Sequence, residues 1–426
     1  MDRFIGLIGM IFMFGIAWLL SLHRKNFPWR TVIWGLGLQL IFALIILKTY
    51  PGKWIFEKFN DIILTILSCS DKGAEFVFGN LINRFLPVGT VGASGQFIGS
   101  DGGLLVDAGT AFFAFKVLPT IIFFSAFMTI LYHYGIMQKI VLALAKIMAK
   151  TMKTSGAESL SASANIFVGQ TEAPLVVKPY VGSMTQSELN AIMVGGFATI
   201  AGGVMAAYVG LLKDIIPNIA GHLMSASIMS APAGLALAKV IVPETEESLT
   251  RGEVKLKVEK IDANGIDAAS RGATDGLRLA LNVGAMLIAF IGLVTLINII
   301  LGMFWKDLSL TWIFSKVFAP LAWMMGIPWA DCGKFGDILG TQITMNEFVA
   351  YLKLHDYGPL MSQRAAILGT YAMCGFANFS SVGIQLGGIG GIAPERRSDL
   401  ARIALRALVA GAFSSWCTCC MAGILI

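Results

Sequence analysis

Glu172 and Glu347 each stand in a run of amides and hydroxyls inside otherwise apolar sequence: Gln170-Thr171-Glu172-Ala173-Pro174 and Thr341-Gln342-Ile343-Thr344-Met345-Asn346-Glu347. An ionisable side chain at membrane depth costs from about 2.5 kcal/mol upward, so each is a functional candidate by default. Gln, Thr and Glu within one turn offer donors and acceptors side by side, and Pro174, without an N–H, opposes a regular helix there. Such a tip can hold an uncharged polar solute through several hydrogen bonds. The second run, with Asn378, Ser380 and Ser381 further along, suits a partner rich in hydroxyls and amides, such as a sugar or a nucleobase, with Phe376 and Phe379 available for apolar or stacking contact. Asn165, Val168 and Thr199 are candidates for a small-cation site, through side-chain and backbone oxygens freed where a helix is broken. Interhelical hydrogen bonding that only holds a bundle together is a rival explanation for Ser380, Thr341 and Thr344, though a poor one for either glutamate.

The elements that must position these residues lie in a membrane. Of 426 residues, 56% are hydrophobic and 14% charged, 47 are glycine, and the mean hydropathy is +0.74, which excludes a water-soluble domain. The net charge of +6 comes from basic residues in short loops between apolar runs, an orientation signal and not a nucleic-acid surface. Cys69, Cys332, Cys374, Cys417, Cys419 and Cys420 follow neither a zinc nor a disulfide spacing and read as small packing residues. The Gly-rich stretch 88–96 lacks the lysine of a phosphate loop, and no Ser/His/Asp set or HExxH is present, so nothing argues for an enzyme.

Apolar runs near 4–22, 31–49, 111–133, 187–211, 219–243, 277–304, 361–385 and 403–425 are each long enough to span. The first runs directly into His23-Arg24-Lys25 without a cleavage site and reads as a retained span. Segments 136–182 and 308–357 are apolar but interrupted, which predicts two re-entrant hairpins, and 53–69 predicts an amphipathic helix in the interface. The predicted fold is an all-α polytopic membrane protein with eight transmembrane helices, two hairpins and that interfacial helix. Basic residues after the first and third spans and before the last fall on one side, which places both termini outside and the charged stretch 244–276 inside as a solvated connector.

The two halves echo each other. Each has a polar tip with a Glu, a serine fifteen residues on (Ser187, Ser362), then Ala-Ile, and further along Gly196-Phe197-Ala198-Thr199 matches Gly375-Phe376-Ala377-Asn378. The spacing from Glu to the matched polar residue, 27 in one copy and 31 in the other, differs by about one helical turn. With the hairpins entering from opposite faces, this is an inverted repeat of the kind secondary transporters use. The organisation follows: 1–135 a scaffold part, 136–243 a first transport repeat, 244–276 the connector, 277–306 a scaffold span and 307–426 a second transport repeat. A channel lined by the two tips is the competing class. A carrier for anions would want basic residues at the tips instead of acids.

Three runs together, Gly169-Gln170-Thr171-Glu172-Ala173-Pro174-Leu175, Asn346-Glu347-Phe348-Val349-Ala350-Tyr351 and Gly375-Phe376-Ala377-Asn378-Phe379-Ser380-Ser381, resemble the concentrative nucleoside transporter family over nearly the whole chain. The resemblance implies a bacterial inner-membrane symporter that imports nucleosides as a homotrimer embedded in the lipid bilayer, by an elevator-like displacement of its transport part. By the same resemblance Gln170, Thr171 and Glu172 face the nucleobase with Val204 packing on it, and Glu347, Asn378 and Ser381 bind ribose with Phe376 close by. It also implies a sodium site from Asn165, Val168, Thr199 and Ile200. Some bacterial members use protons, which leaves H+ as the alternative coupling ion. Two positions depart from the family pattern: Gln342 stands where a lysine is common, and Thr199 where serine is frequent.

Overall fold

A backbone without water around it must satisfy its own N–H and C=O groups, and helix does so within one segment. The structure is a computed structural model that describes residues 4–82, 85–87, 89–91, 97–99, 105–107, 113–252 and 262–426, and it is overwhelmingly helical. It opens with α1 (Ile5–Leu19) and α2 (Trp29–Lys48), followed by α3 (Tyr50–Phe78), the expected amphipathic helix at greater length than 53–69. Thr49 caps α3 by accepting from the Gly52 N–H, and Asn60, Ile63, Leu67, Ser70 and Ala74 line its buried face at helical spacing. Between α3 and α4 (Phe113–His133) lie two short antiparallel ribbons, Phe85–Pro87 with Leu105–Asp107 and Gly89–Val91 with Phe97–Gly99, which the helical reading did not foresee.

Each predicted hairpin proves shorter than its apolar segment, because an amphipathic helix precedes it. In the first copy α5 (Ile136–Met152) buries Met137, Val141, Ala145, Met148 and Met152 and leaves its lysines outside. The hairpin proper is α6 (Gly156–Asn165), an irregular tip, a 3-10 turn over Ala173–Val177 and the one-turn α7 (Lys178–Val181). It leads into α8 (Gln186–Ala198) and α9 (Gly202–Leu212), one expected span broken at Thr199-Ile200-Ala201, and then α10 (Ile219–Ile241). After α11 (Gly265–Phe304) the second copy repeats the order. The short α12 (Leu310–Val317) and α13 (Ala319–Met324) come first, then α14 (Trp329–Thr344) and α15 (Glu347–Tyr357) as the hairpin. The broken span is α16 (Gln363–Ala372) and α17 (Phe379–Ile392), and α18 (Arg397–Leu425) ends the chain. The breaks fall at the two matched motifs. The helix caps, however, align Thr185 with Ser362, not Ser187: Ser187 donates to the Val242 carbonyl instead.

Among the described residues six helices are long and apolar enough to cross a membrane: α2, α4, α8 with α9, α10, α11 and α18. The other two expected crossings are α1, only 15 residues long, and the pair α16 and α17, split by its break. α1 and α2 pack chiefly on α10 and α18, whereas α4 and α11 pair with each other. That pairing follows from Ala268, Gly272, Gly276 and Ala280, four small buried residues at intervals of four on α11. A Cβ on Gly276 would stand 2.7 Å from the Ile122 Cα, so the backbones approach as closely as small-xxx-small packing allows.

The connector also differs from expectation. Its second half is the start of α11, capped by Asn264, and its beginning, 244–252, is docked. Lys239, 4% exposed near the end of α10, lies 2.7 Å from Glu158 and 3.1 Å from Glu244 and donates to Ser187 at 2.9 Å. A buried ammonium needs that many partners, and satisfying it draws the connector onto the ends of α6 and α8. Five cysteines are buried packing residues, while Cys69 is exposed.

Candidate functional site

α6 ends at Asn165, and the tip that follows is turned by Gly169, whose carbonyl accepts from the Glu172 and Ala173 N–H groups. A Cβ on Gly169 would meet the end of the Glu172 side chain, which folds back over this turn. Gln170 is buried and aimed at α17. Its Nε2 donates to Ser381 Oγ at 3.1 Å, and its Oε1 accepts from Gln385 Nε2 at 3.0 Å. Thr171 packs its methyl towards Gly388, where an added Cβ would lie 3.1 Å away. Glu172 is exposed and takes no part in this group.

At the second tip Asn346 turns out to be an N-cap, accepting from the Val349 N–H at 2.9 Å, which places Glu347 in the first turn of α15. The positive end of the helix dipole favours a carboxylate there. Glu347, 7% exposed, has one donor on each oxygen: Tyr208 hydroxyl to Oε1 at 2.9 Å and Asn378 Nδ2 to Oε2 at 2.9 Å. Asn378 is held from its other side. As the N-cap of α17 its Oδ1 accepts from the Ser381 N–H at 2.8 Å and the Ser380 hydroxyl at 2.6 Å, so its amide faces Glu347 with nitrogen. Gln170, Ser381, Asn378 and Glu347 therefore form one continuous network across both tips and the second break. Phe376 is buried within that break, Phe379 is 55% exposed, and Val204 is buried one turn before Tyr208 on α9.

Tyr208 and Gln385 are the network members that sequence reasoning did not select. Tyr208 is fully buried and stacked on Tyr351 with ring centroids 4.1 Å apart. A phenol four residues beyond Val204 in an otherwise apolar helix was the available signal.

The cation candidates are also brought together. The Thr199 hydroxyl donates to the Asn165 carbonyl at 2.8 Å and to the Gly195 carbonyl at 3.1 Å, and the Gly202 N–H reaches the Phe167 carbonyl at 2.9 Å, joining the first tip to the break between α8 and α9. Asn165 Nδ2 is spent on the Ser161 carbonyl, while Asn165 Oδ1 is buried without a hydrogen-bond partner. A neutral oxygen left over beside unwound backbone fits a monovalent cation. Among the described residues no cluster of three His, Cys, Asp or Glu side chains offers the charge a tightly held divalent ion would want. Val168 and Ile200 flank these groups, Ile200 buried and Val168 half-buried. A cavity of about 560 Å³ lies elsewhere, among Lys153, Glu158, Lys239, Glu244 and Arg251.

Known proteins share this arrangement of chain. Three family models match: Na+ dependent nucleoside transporter N-terminus over residues 8–81, nucleoside recognition Gate over 114–214, and Na+ dependent nucleoside transporter C-terminus over 222–423. An uncharacterised transporter of Haemophilus influenzae is 42% identical, covering 99% of this chain and 97% of its own. Sodium/nucleoside cotransporter 1 of Mus musculus is 41% identical over 95% of this chain, which spans 61% of the mouse protein's length. Solved structures of CNTnw match as well. The inward-facing substrate-bound state superposes with a TM-score of 0.86 at 38% identity, covering 100% of this chain and 98% of that one. An outward-facing variant gives 0.87 at 37% identity, with the same coverage.

Proposed function

The chain belongs to the Na+-dependent nucleoside transporter family, an integral membrane protein and not an enzyme, and we propose that it imports nucleosides across the cytoplasmic membrane, driven by Na+ moving down its gradient. The observation that carries this is the pairing of a buried Glu347, its two oxygens already oriented by Tyr208 and Asn378, with a Gln170 amide from the opposite tip that bonds the Ser381 hydroxyl of α17. A carboxylate with lone pairs to spare accepts from a vicinal diol, and the other end offers hydrogen bonds to a base. Thr171, Glu172, Val204 and Phe376 complete the proposed lining. Two acidic tips and no basic residue within them disfavour anionic substrates, nucleotides included.

Na+ is the co-substrate, held by Asn165, Val168, Thr199 and Ile200. Binding of ion and solute must be coupled for one to drive the other, and the coupling is reciprocal. The link runs through the first tip: an ion that engages Asn165 Oδ1 and the break at Thr199 fixes the loop carrying Gln170 five residues on. The two hairpins with their broken helices move as the transport part against a stationary part that has α4 and α11 at its heart. The family's solved structures in inward- and outward-facing states support alternating access of this kind. The assembly is a homotrimer with both termini outside.

Uptake of radiolabelled uridine into proteoliposomes tests this. Accumulation should follow an inward Na+ gradient and be absent without one. Accumulation driven by a proton gradient alone would replace the coupling ion, and no uridine uptake under any gradient would remove the substrate class.

A further inference from the structure

We propose that Gln385 is a positioning residue that fixes which way the Gln170 amide faces, and so which nucleobases the site accepts; this rests on the nucleoside reading above. Gln385 lies on α17 one turn beyond Ser381, on the same face, and has no exposed surface. Its Nε2 makes two bonds, to the Met193 carbonyl of α8 at 3.1 Å and to Gln170 Oε1 at 3.0 Å. A main-chain carbonyl can only accept, so Met193 dictates that Gln385 turn its nitrogen this way, even though its own Oε1 is left buried without a partner. With both Gln385 protons committed, the atom Gln170 presents to it must be oxygen. Gln170 therefore shows its nitrogen to Ser381 and to the site.

The packing enforces the same geometry. Gly196 of α8 lies beneath the pair, and a Cβ there would come within 2.7 Å of Gln385 Nε2 and 2.9 Å of Gln170 Cβ. The Gln170 amide is thus held between residues 381 and 385 of α17 and the bare backbone of α8. The site acquires a polarity: the second Gln170 N–H donates at the base end, while Glu347 accepts at the sugar end. Bases that present an acceptor to that fixed N–H are preferred over bases that present a donor. Gln385 itself touches no substrate.

The test measures dissociation constants of purified wild type and Gln385→Met for uridine, cytidine, adenosine and a phenyl riboside, which keeps the ribose but has no polar atom on its ring. In the wild type uridine should bind more tightly than the phenyl riboside. Gln385→Met frees the Gln170 amide to rotate, so uridine binding should weaken about tenfold, the scale of one neutral hydrogen bond. The preferences among the three nucleosides should narrow, and phenyl riboside affinity and the Na+ concentration for half-maximal uptake should stay as they were. Unchanged uridine affinity and ranking would overturn the proposal, and so would an equal loss for uridine and the phenyl riboside, which would mark Gln385 as merely structural. A wild type that binds none of the nucleosides would overturn the substrate reading first and this proposal with it.

Discussion

Replacing Glu347 by glutamine keeps the shape of the side chain and removes its charge. In the protein both carboxylate oxygens receive a donor, from Tyr208 and from Asn378. A glutamine has one acceptor oxygen, so one donor loses its partner. Asn378 cannot escape by turning its amide over, because its Oδ1 is fixed by the Ser381 N–H and the Ser380 hydroxyl. Losing one hydrogen bond to a charged group removes about 1.5–3 kcal/mol, and the bond from a ribose hydroxyl to the carboxylate is of the same kind. The internal loss burdens free and bound protein alike, so the ribose bond sets the effect: about 1.5–3 kcal/mol, a fall of roughly 10- to 10²-fold in uridine binding. The assay is a substrate cross: dissociation constants of wild type and Glu347→Gln for uridine and for 2′,3′-dideoxyuridine. Dideoxyuridine should bind the wild type poorly and lose much less on mutation, because the ribose contact is already missing. Equal losses for the two ligands would show that Glu347 does not meet the sugar. Uridine binding within threefold of wild type would refute the geometry altogether.

Tyr208→Phe should leave the stack on Tyr351 intact but deprive Glu347 of one donor, lowering stability by about 1.5–3 kcal/mol and weakening uridine binding several-fold as the carboxylate loses its fixed orientation; a melting curve and calorimetric titration read both. Asn165→Leu removes the unpartnered buried oxygen at the proposed ion site, so the Na+ concentration for half-maximal uptake should rise at least about tenfold, and unchanged Na+ dependence would place the ion elsewhere. Gly276→Leu forces a side chain into the Ile122 backbone, and the clash should lower stability by about 1–3 kcal/mol or more, read as a drop in the unfolding temperature in detergent.

Much of this architecture was legible because the bilayer removes alternatives. Apolar length marks spans, and polar residues within such length mark sites, so Glu172, Glu347, Thr199 and Asn378 stood out, though the span breaks at the last two did not. What was hidden had several physical causes. Tyr208 and Gln385 sit singly in apolar helices, and their partners, Glu347 and Gln170, lie 139 and 215 residues away along the chain. α5 and the docked start of the connector were misjudged because amphipathic and charged stretches look alike whether they rest on protein or face solvent. Asn346 caps a helix before an acidic first turn, and residue type alone does not separate a cap from a binding group. The exposure of Glu172 follows from how the Gly169 turn aims its side chain, which residue types alone do not reveal.

The closed hydrogen-bond network bears on the empty carrier. An importer that has released its cargo must travel back unloaded, and every bare polar group it carries through the membrane then raises the barrier to that return. Here Tyr208 and Asn378 occupy Glu347, while Gln170 and Ser381 occupy each other, so the solute site stands in for its own ligand. The ion site differs: Asn165 Oδ1 is buried with no hydrogen-bond partner. For the proposed transporter Glu347 therefore travels with both oxygens already met, whereas the exposed Glu172 stands outside that network, and the ion site is the place where occupancy changes what the first tip must satisfy.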